Sequence, residues 1–133
     1  MKTTKPSRPT RFTVFHNPKC SKSREALALL RANGVGLAVV EYLKSPLSAA
    51  ELRELLRALR LKAHDLLRTR EDEYRELRLS PASPEAEIID AIAAHPVLME
   101  RPVVVAGQRA IIGRPPEKVL DLLSRPAKLK ENS

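Results

Sequence analysis

Tryptophan is absent from this chain, and two Phe and two Tyr are its whole aromatic content, 3% of 133 residues. A stacking platform for single-stranded nucleic acid needs more aromatic side chains than that. The single cysteine, Cys20, excludes an internal disulfide framework and a thiolate-rich zinc site. No run approaches the roughly 18 to 20 consecutive apolar residues of a membrane span. The stretch Phe12-Thr-Val-Phe-His16 behind the basic N-terminus is too short for a secretion-signal core. The expectation is therefore a cytoplasmic protein with no membrane association.

Acidic residues are the minority, 16 against 24 basic, which leaves a net charge of +8. An excess of that size raises the question of a nucleic-acid partner, and its distribution answers it. Lys2, Lys5, Arg8 and Arg11 lie in residues 1–11, while Arg125, Lys128 and Lys130 against Glu131 lie in 125–133. The stretch between is close to balanced, so no nucleic-acid face is expected. Both ends read as solvated, disordered basic tails flanking a single domain over 12–124. With 43% hydrophobic residues, that domain can bury a core of its own, and its size is compatible with a monomer.

Along the chain, Arg11-Phe-Thr-Val-Phe-His16 has the β-branched and aromatic content of a short strand, broken by Asn17-Pro18. Ser21 to Asn33 reads as a helix with Ala26, Leu27 and Leu30 on one face and Gly34 at its end. Leu37 to Leu43 is a second strand, completing a βαβ unit. Ser48 and Glu51 form a capping box, and Leu52, Leu55, Leu56 and Leu59 recur at helical spacing. A short helix from Ala63 to Thr69, the charged stretch Arg70 to Arg78, and a helix from Ser83-Pro84 to His95-Pro96 complete a helical middle over about 48–95. Strands return in Pro102 to Ala106 and Arg109 to Ile112, joined at Gly107-Gln108 as a hairpin. A last helix opens at Pro115-Pro116 with Val119, Leu120 and Leu123 facing inward.

Chemistry concentrates at Cys20. It lies where the first strand turns into the first helix, in His16-Asn-Pro-Lys-Cys-Ser-Lys-Ser-Arg24. A helix N-terminus presents unpaired N–H groups and the positive end of the dipole, both of which favour an anion. Lys19, Lys22 and Arg24 add positive charge in sequence. Such surroundings bring a thiol from about 8.5 to somewhere in 3.5–7.5. The same N–H groups suit an oxyanion beside the sulfur. A phosphatase-type loop requires an arginine six positions after the cysteine, where Ala26 stands. A self-resolving dithiol requires Cys-x-x-Cys, where Ser23 stands. With one sulfur, any adduct has to be resolved by a thiol from another molecule.

The run HNPKCSKSR resembles the active-site loop of glutaredoxin-dependent arsenate reductases, the ArsC family. LLRTREDEY, MERPVVV and GRPPEKVL resemble further segments of that family in the same order. The resemblance implies an α/β, thioredoxin-like (glutaredoxin-type) mixed sheet with flanking helices and a helical insertion between its βαβ and ββα halves. It implies that Cys20 is the nucleophile, that His16 helps to depress its pKa and that Ser23 hydrogen-bonds the thiolate. Arg68, Arg101 and Arg114 match the arginines of an arsenate site, and Pro102 the position of a cis-proline. The implied activity is reduction of arsenate to arsenite with glutathione and glutaredoxin as external reductants, and no metal, flavin or nucleotide is needed. Two alternatives share the fold. One is a glutathione-dependent thiol-disulfide oxidoreductase with another substrate, although a disulfide has no need of three arginines. The other is a Spx-like regulator that binds RNA polymerase, although Ser23 breaks its usual Cys-x-x-Cys. His64 and His95 share no ligand spacing and read as surface or helix-end residues; Glu71-Asp72-Glu73 reads as a solvated face.

Overall fold

Alternation in the first strand decides how the sheet is covered. The structure, a computed structural model, describes residues 11–123, so the expected tails fall outside the described residues except for Arg11, the first residue of a strand. In β1 (Arg11–His16), Phe12, Val14 and His16 are buried on one face. They lie under α1 (Ser21–Ala32), whose Ser23, Ala26, Leu27 and Leu30 are buried. Phe15, on the other face of β1, packs against the helical insertion. Helix α1 ends at Asn33, and Gly34 takes φ +73°, a left-handed turn that a residue without a Cβ adopts freely.

Strand β2 (Gly36–Glu41) pairs with β1 in parallel, His16 opposite Glu41. Strands β3 (Val103–Ala106) and β4 (Arg109–Ile112) form the expected hairpin, and β3 runs antiparallel to β1 with Thr13 opposite Val105. The order across the sheet is β2-β1-β3-β4, the mixed arrangement of a thioredoxin-like fold. Val104 joins the core beneath α1, and Val103 joins the core on the opposite face. Each fully buried aliphatic side chain of this kind contributes about 2 kcal/mol.

The insertion supplies that second core. Helix α2 (Ala49–Leu59) begins with the expected capping box: Glu51 N–H donates to Ser48 Oγ at 3.1 Å and Ser48 N–H to Glu51 Oε1 at 2.8 Å. A 3₁₀ turn (Ala63–Leu66), the short α3 (Asp72–Glu76), α4 (Glu85–Ala94) and a second 3₁₀ turn (Pro96–Leu98) follow. Residues 66–68 then lie against 98–100: Arg68 N–H donates to Leu98 O at 2.7 Å, and Glu100 N–H to Leu66 O at 2.8 Å. This short antiparallel tie brings the insertion to the segment carrying Arg101.

The last element departs from expectation. Pro116–Leu123 is a 3₁₀ helix, in which residues three apart share a face. Pro116, Val119 and Leu122 are buried, whereas Leu120 and Leu123, expected inward from α-helical spacing, are only half-buried.

Candidate active site

The loop between β1 and α1 is closed by hydrogen bonds to one residue. Asn17 O accepts from Cys20 N–H at 3.0 Å, and Asn17 Oδ1 accepts from Lys19 N–H at 3.0 Å. Asparagine stabilises turns in this way, its side chain binding backbone two residues on. Arg24 Nη1 donates to Pro18 O at 2.8 Å and ties the first helical turn back to the loop.

Cys20 occupies the N-cap of α1 with extended backbone (φ −99°, ψ 121°). Ser, Thr, Asp or Asn ordinarily stands there, with a side-chain oxygen directed at the free N–H groups of the first turn. The Cys20 side chain makes no conventional capping bond, yet the Ser23 and Lys22 N–H groups favour the charge on its sulfur. Burial is the largest influence on this thiol, at 8% residue exposure, and it opposes ionisation. The Ser23 N–H, the charge and hydrogen bonding of Arg101, and the Lys22 N–H together outweigh it and hold the pKa below the ordinary range. Lys19 and Arg24, expected to act by charge, are exposed, and the dominant cation is Arg101 instead.

The side chains of His16 and Ser23 meet each other. His16 Nδ1 lies 2.6 Å from Ser23 Oγ, which also accepts from Asn17 N–H at 3.0 Å. Burial pushes the His16 pKa down against the opposing pull of Glu41; Arg31 and Arg24 lower it further. A neutral ring with its proton on Nε2 satisfies this chain, since Ser23 then donates its hydroxyl proton to Nδ1. Burial thus disfavours a cationic His16, and Ser23 addresses the sulfur through its backbone N–H while its hydroxyl meets His16 and Asn17.

The three arginines are placed differently from one another. Arg101, preceding a cis bond to Pro102, is the one that acts on Cys20, and its Nε is buried with no hydrogen-bond partner among the described residues. Arg114, preceding a second cis bond to Pro115, is exposed and donates from Nη1 to Arg101 O at 3.2 Å. Arg68 is half-buried, whereas the neighbouring Arg70 is exposed. Arg68 Nη2 lies 2.8 Å from Glu71 Oε2, so Glu71 is not part of a solvated acidic face.

Tyr42, just past β2, was not among the expected site residues. It is 1% exposed, and the Asn17 side chain favours its charged form. Burial pushes its phenol up; the positive charges of Arg101 and Arg68 pull it down, and Cys20 raises it. The charges of the thiol and of two of the arginines thus bear on one buried hydroxyl. In sequence it reads as a core aromatic, and only its position at the end of the strand beside β1 could have pointed to it. His95 caps the end of α4, and His64 is half-buried with Nε2 2.9 Å from Tyr74 Oη. Among the described residues, no three His, Cys, Asp or Glu side chains are grouped to hold a metal, and no helix is long and apolar enough to cross a membrane. A cavity of about 990 Å³ between α2 and the sheet, bounded by Phe15, Val40, Leu55 and Val105, includes none of the six expected site residues.

Comparison with known proteins bears on this arrangement. The model of the ArsC family matches residues 15–122. An uncharacterized protein, YfgD, of Escherichia coli (strain K12) is 52% identical over 112 residues, 83% of this chain and 94% of the relative. The arsenate reductase of Neisseria meningitidis serogroup A is 44% identical over 108 residues, covering 80% and 92%. Among solved structures, an arsenate reductase from Vibrio cholerae superimposes with a TM-score of 0.82 at 41% identity, covering 86% of this chain and 98% of that one.

Proposed function

Since the chain belongs to the ArsC family, we propose that it is a cytoplasmic arsenate reductase that draws its reducing equivalents from glutathione and glutaredoxin. The observation that carries this reading is the setting of Cys20. The charged form of its sulfur is favoured at a helix N-terminus, beside Arg101 with a buried N–H donor that no acceptor among the described residues satisfies. An unpaired buried donor is destabilising by about 1–3 kcal/mol, and an oxyanion oxygen would relieve that. Guanidinium groups suit a tetrahedral oxyanion because their paired N–H bonds match its oxygens.

In this mechanism arsenate docks against Arg101, Arg114 and Arg68, with the first-turn N–H groups of α1 on its oxygens. The Cys20 thiolate attacks arsenic; an S–As bond forms, and one oxygen leaves as hydroxide, which is protonated to water. Glutathione condenses on the adduct and displaces a second oxygen as water. A glutaredoxin thiolate then attacks the glutathione sulfur. The bond from that sulfur to arsenic breaks and leaves its electron pair on arsenic, taking As(V) to As(III) and producing a glutaredoxin–glutathione mixed disulfide. Water cleaves the remaining Cys20–As bond, releasing arsenite and the thiol. Both reducing equivalents come from outside because the chain has one sulfur nucleophile.

The test is arsenate-dependent NADPH consumption coupled through glutathione, glutathione reductase and glutaredoxin. Wild-type protein is expected to turn over and Cys20→Ser to be inactive while folded; arsenite production by the serine variant refutes the assignment. Higher activity on a generic mixed disulfide than on arsenate would favour the thiol-disulfide oxidoreductase reading instead.

A further inference from the structure

Of the three arginines assigned to the oxyanion, one already holds a carboxylate. Arg68 Nη2 is 2.8 Å from Glu71 Oε2, and the two side chains are only 22% and 24% exposed. The pair is therefore far less screened than the neighbouring Arg75–Asp72 pair, whose side chains are 71% and 76% exposed. Glu71 also sits at the N-cap of α3, where a carboxylate ordinarily accepts first-turn N–H bonds, yet it makes no such capping bond. Its carboxylate turns to Arg68 instead. The turn that allows this is built in, since Glu71 N–H donates to Arg68 O at 3.2 Å.

An oxyanion that uses Arg68 has to displace this carboxylate or bind beside it. In the first case an existing ion pair is given up; in the second, like charges lie a few ångströms apart in a half-buried site. Both weaken binding of every tetrahedral oxyanion, and inorganic phosphate, which has the same shape and charge as arsenate, is the abundant one. We propose that Glu71 is a specificity-determining residue: paired with Arg68, it keeps reversible oxyanion binding weak, so that phosphate does not occupy the site and retention of a substrate depends on its bond to Cys20. This rests on the reading that Arg68, Arg101 and Arg114 together receive an oxyanion.

Phosphate binding, measured calorimetrically on the full chain, tests it without any turnover. Glu71→Gln is expected to bind inorganic phosphate about tenfold more tightly than wild type, a like-charge effect discounted for partial exposure. Asp72→Asn, which breaks only the exposed pair, is expected to leave the affinity unchanged. The gain must also disappear in the Arg68→Gln, Glu71→Gln double variant. Phosphate affinity in Glu71→Gln equal to or weaker than wild type overturns the proposal, as does a gain that survives loss of Arg68. In the coupled assay, phosphate should inhibit Glu71→Gln at about tenfold lower concentration than wild type. Absence of arsenate turnover in wild type would count against the proposed activity alone, because the phosphate titration stands without it.

Discussion

Replacing Ser23 by alanine separates the two tasks that the residue performs. Ser23 is fully buried, and its hydroxyl joins His16 Nδ1 at 2.6 Å to Asn17 N–H at 3.0 Å. Alanine removes this link and leaves an imidazole nitrogen and an amide without their partner. Each such group is destabilising by about 1–3 kcal/mol when buried. Asn17 is half-buried and recovers part of its loss to water, so the sum is about 2–3 kcal/mol. In a domain of this size that lowers Tm by roughly 10 °C. The Ser23 N–H that supports the thiolate is backbone and survives the substitution. The Cys20 pKa should therefore stay close to its wild-type value, whereas loss of a direct charge-assisted hydrogen bond would raise it clearly. Thermal unfolding gives the first quantity, and the pH dependence of iodoacetamide alkylation gives the second. A clear rise with Tm unchanged would refute this division of labour and return the hydroxyl to the sulfur.

Three further perturbations follow from the same geometry. His16 has a folded-state pKa below its unfolded value and Cys20 likewise, so in both cases the unfolded chain binds more protons and stability rises with pH through that window. For His16 the stabilisation is complete above about pH 6.5 and is lost as pH falls toward its folded value; urea titrations of His16→Gln should show a shallower loss below that pH than wild type. Tyr42→Phe keeps the ring in the core but removes its hydroxyl from beside Asn17, and a loss of about 1 kcal/mol predicts a Tm lower by roughly 4 °C in thermal unfolding. At Gly113 a Cβ would come within 2.8 Å of Val119 Cγ1 and 3.0 Å of Pro102 Cγ, so Gly113→Ala should cost about 1–3 kcal/mol by chemical denaturation.

Much of this architecture was legible because local signals agreed with one another. Alternation in Phe12-Thr-Val-Phe-His16, the Asn17-Pro18 break and the Ser48/Glu51 box fixed β1, the turn that carries Cys20 and the start of α2. Placing Cys20 at a helix start required no more than that. What stayed hidden depends on contacts between elements distant in sequence. Arg68 is brought to the segment carrying Arg101 through the insertion's short tie at 66–68 and 98–100, which no local pattern announces. Glu71 looked solvated because an acidic run usually is, and only Arg68's position reverses that. The inward face of Pro116–Leu123 differs from that of a 3.6-residue period because the segment winds at three residues per turn.

The proposed chemistry requires above all that Cys20 be ionised through Arg101 and the first-turn amides. The direct measurement is the thiolate absorbance near 240 nm as a function of pH, for wild type and for Arg101→Gln. The expected result is an apparent pKa below the roughly 8.5 of a free cysteine in wild type and a clear rise on loss of the guanidinium. A wild-type thiol that titrates like free cysteine, or one indifferent to Arg101, would contradict it.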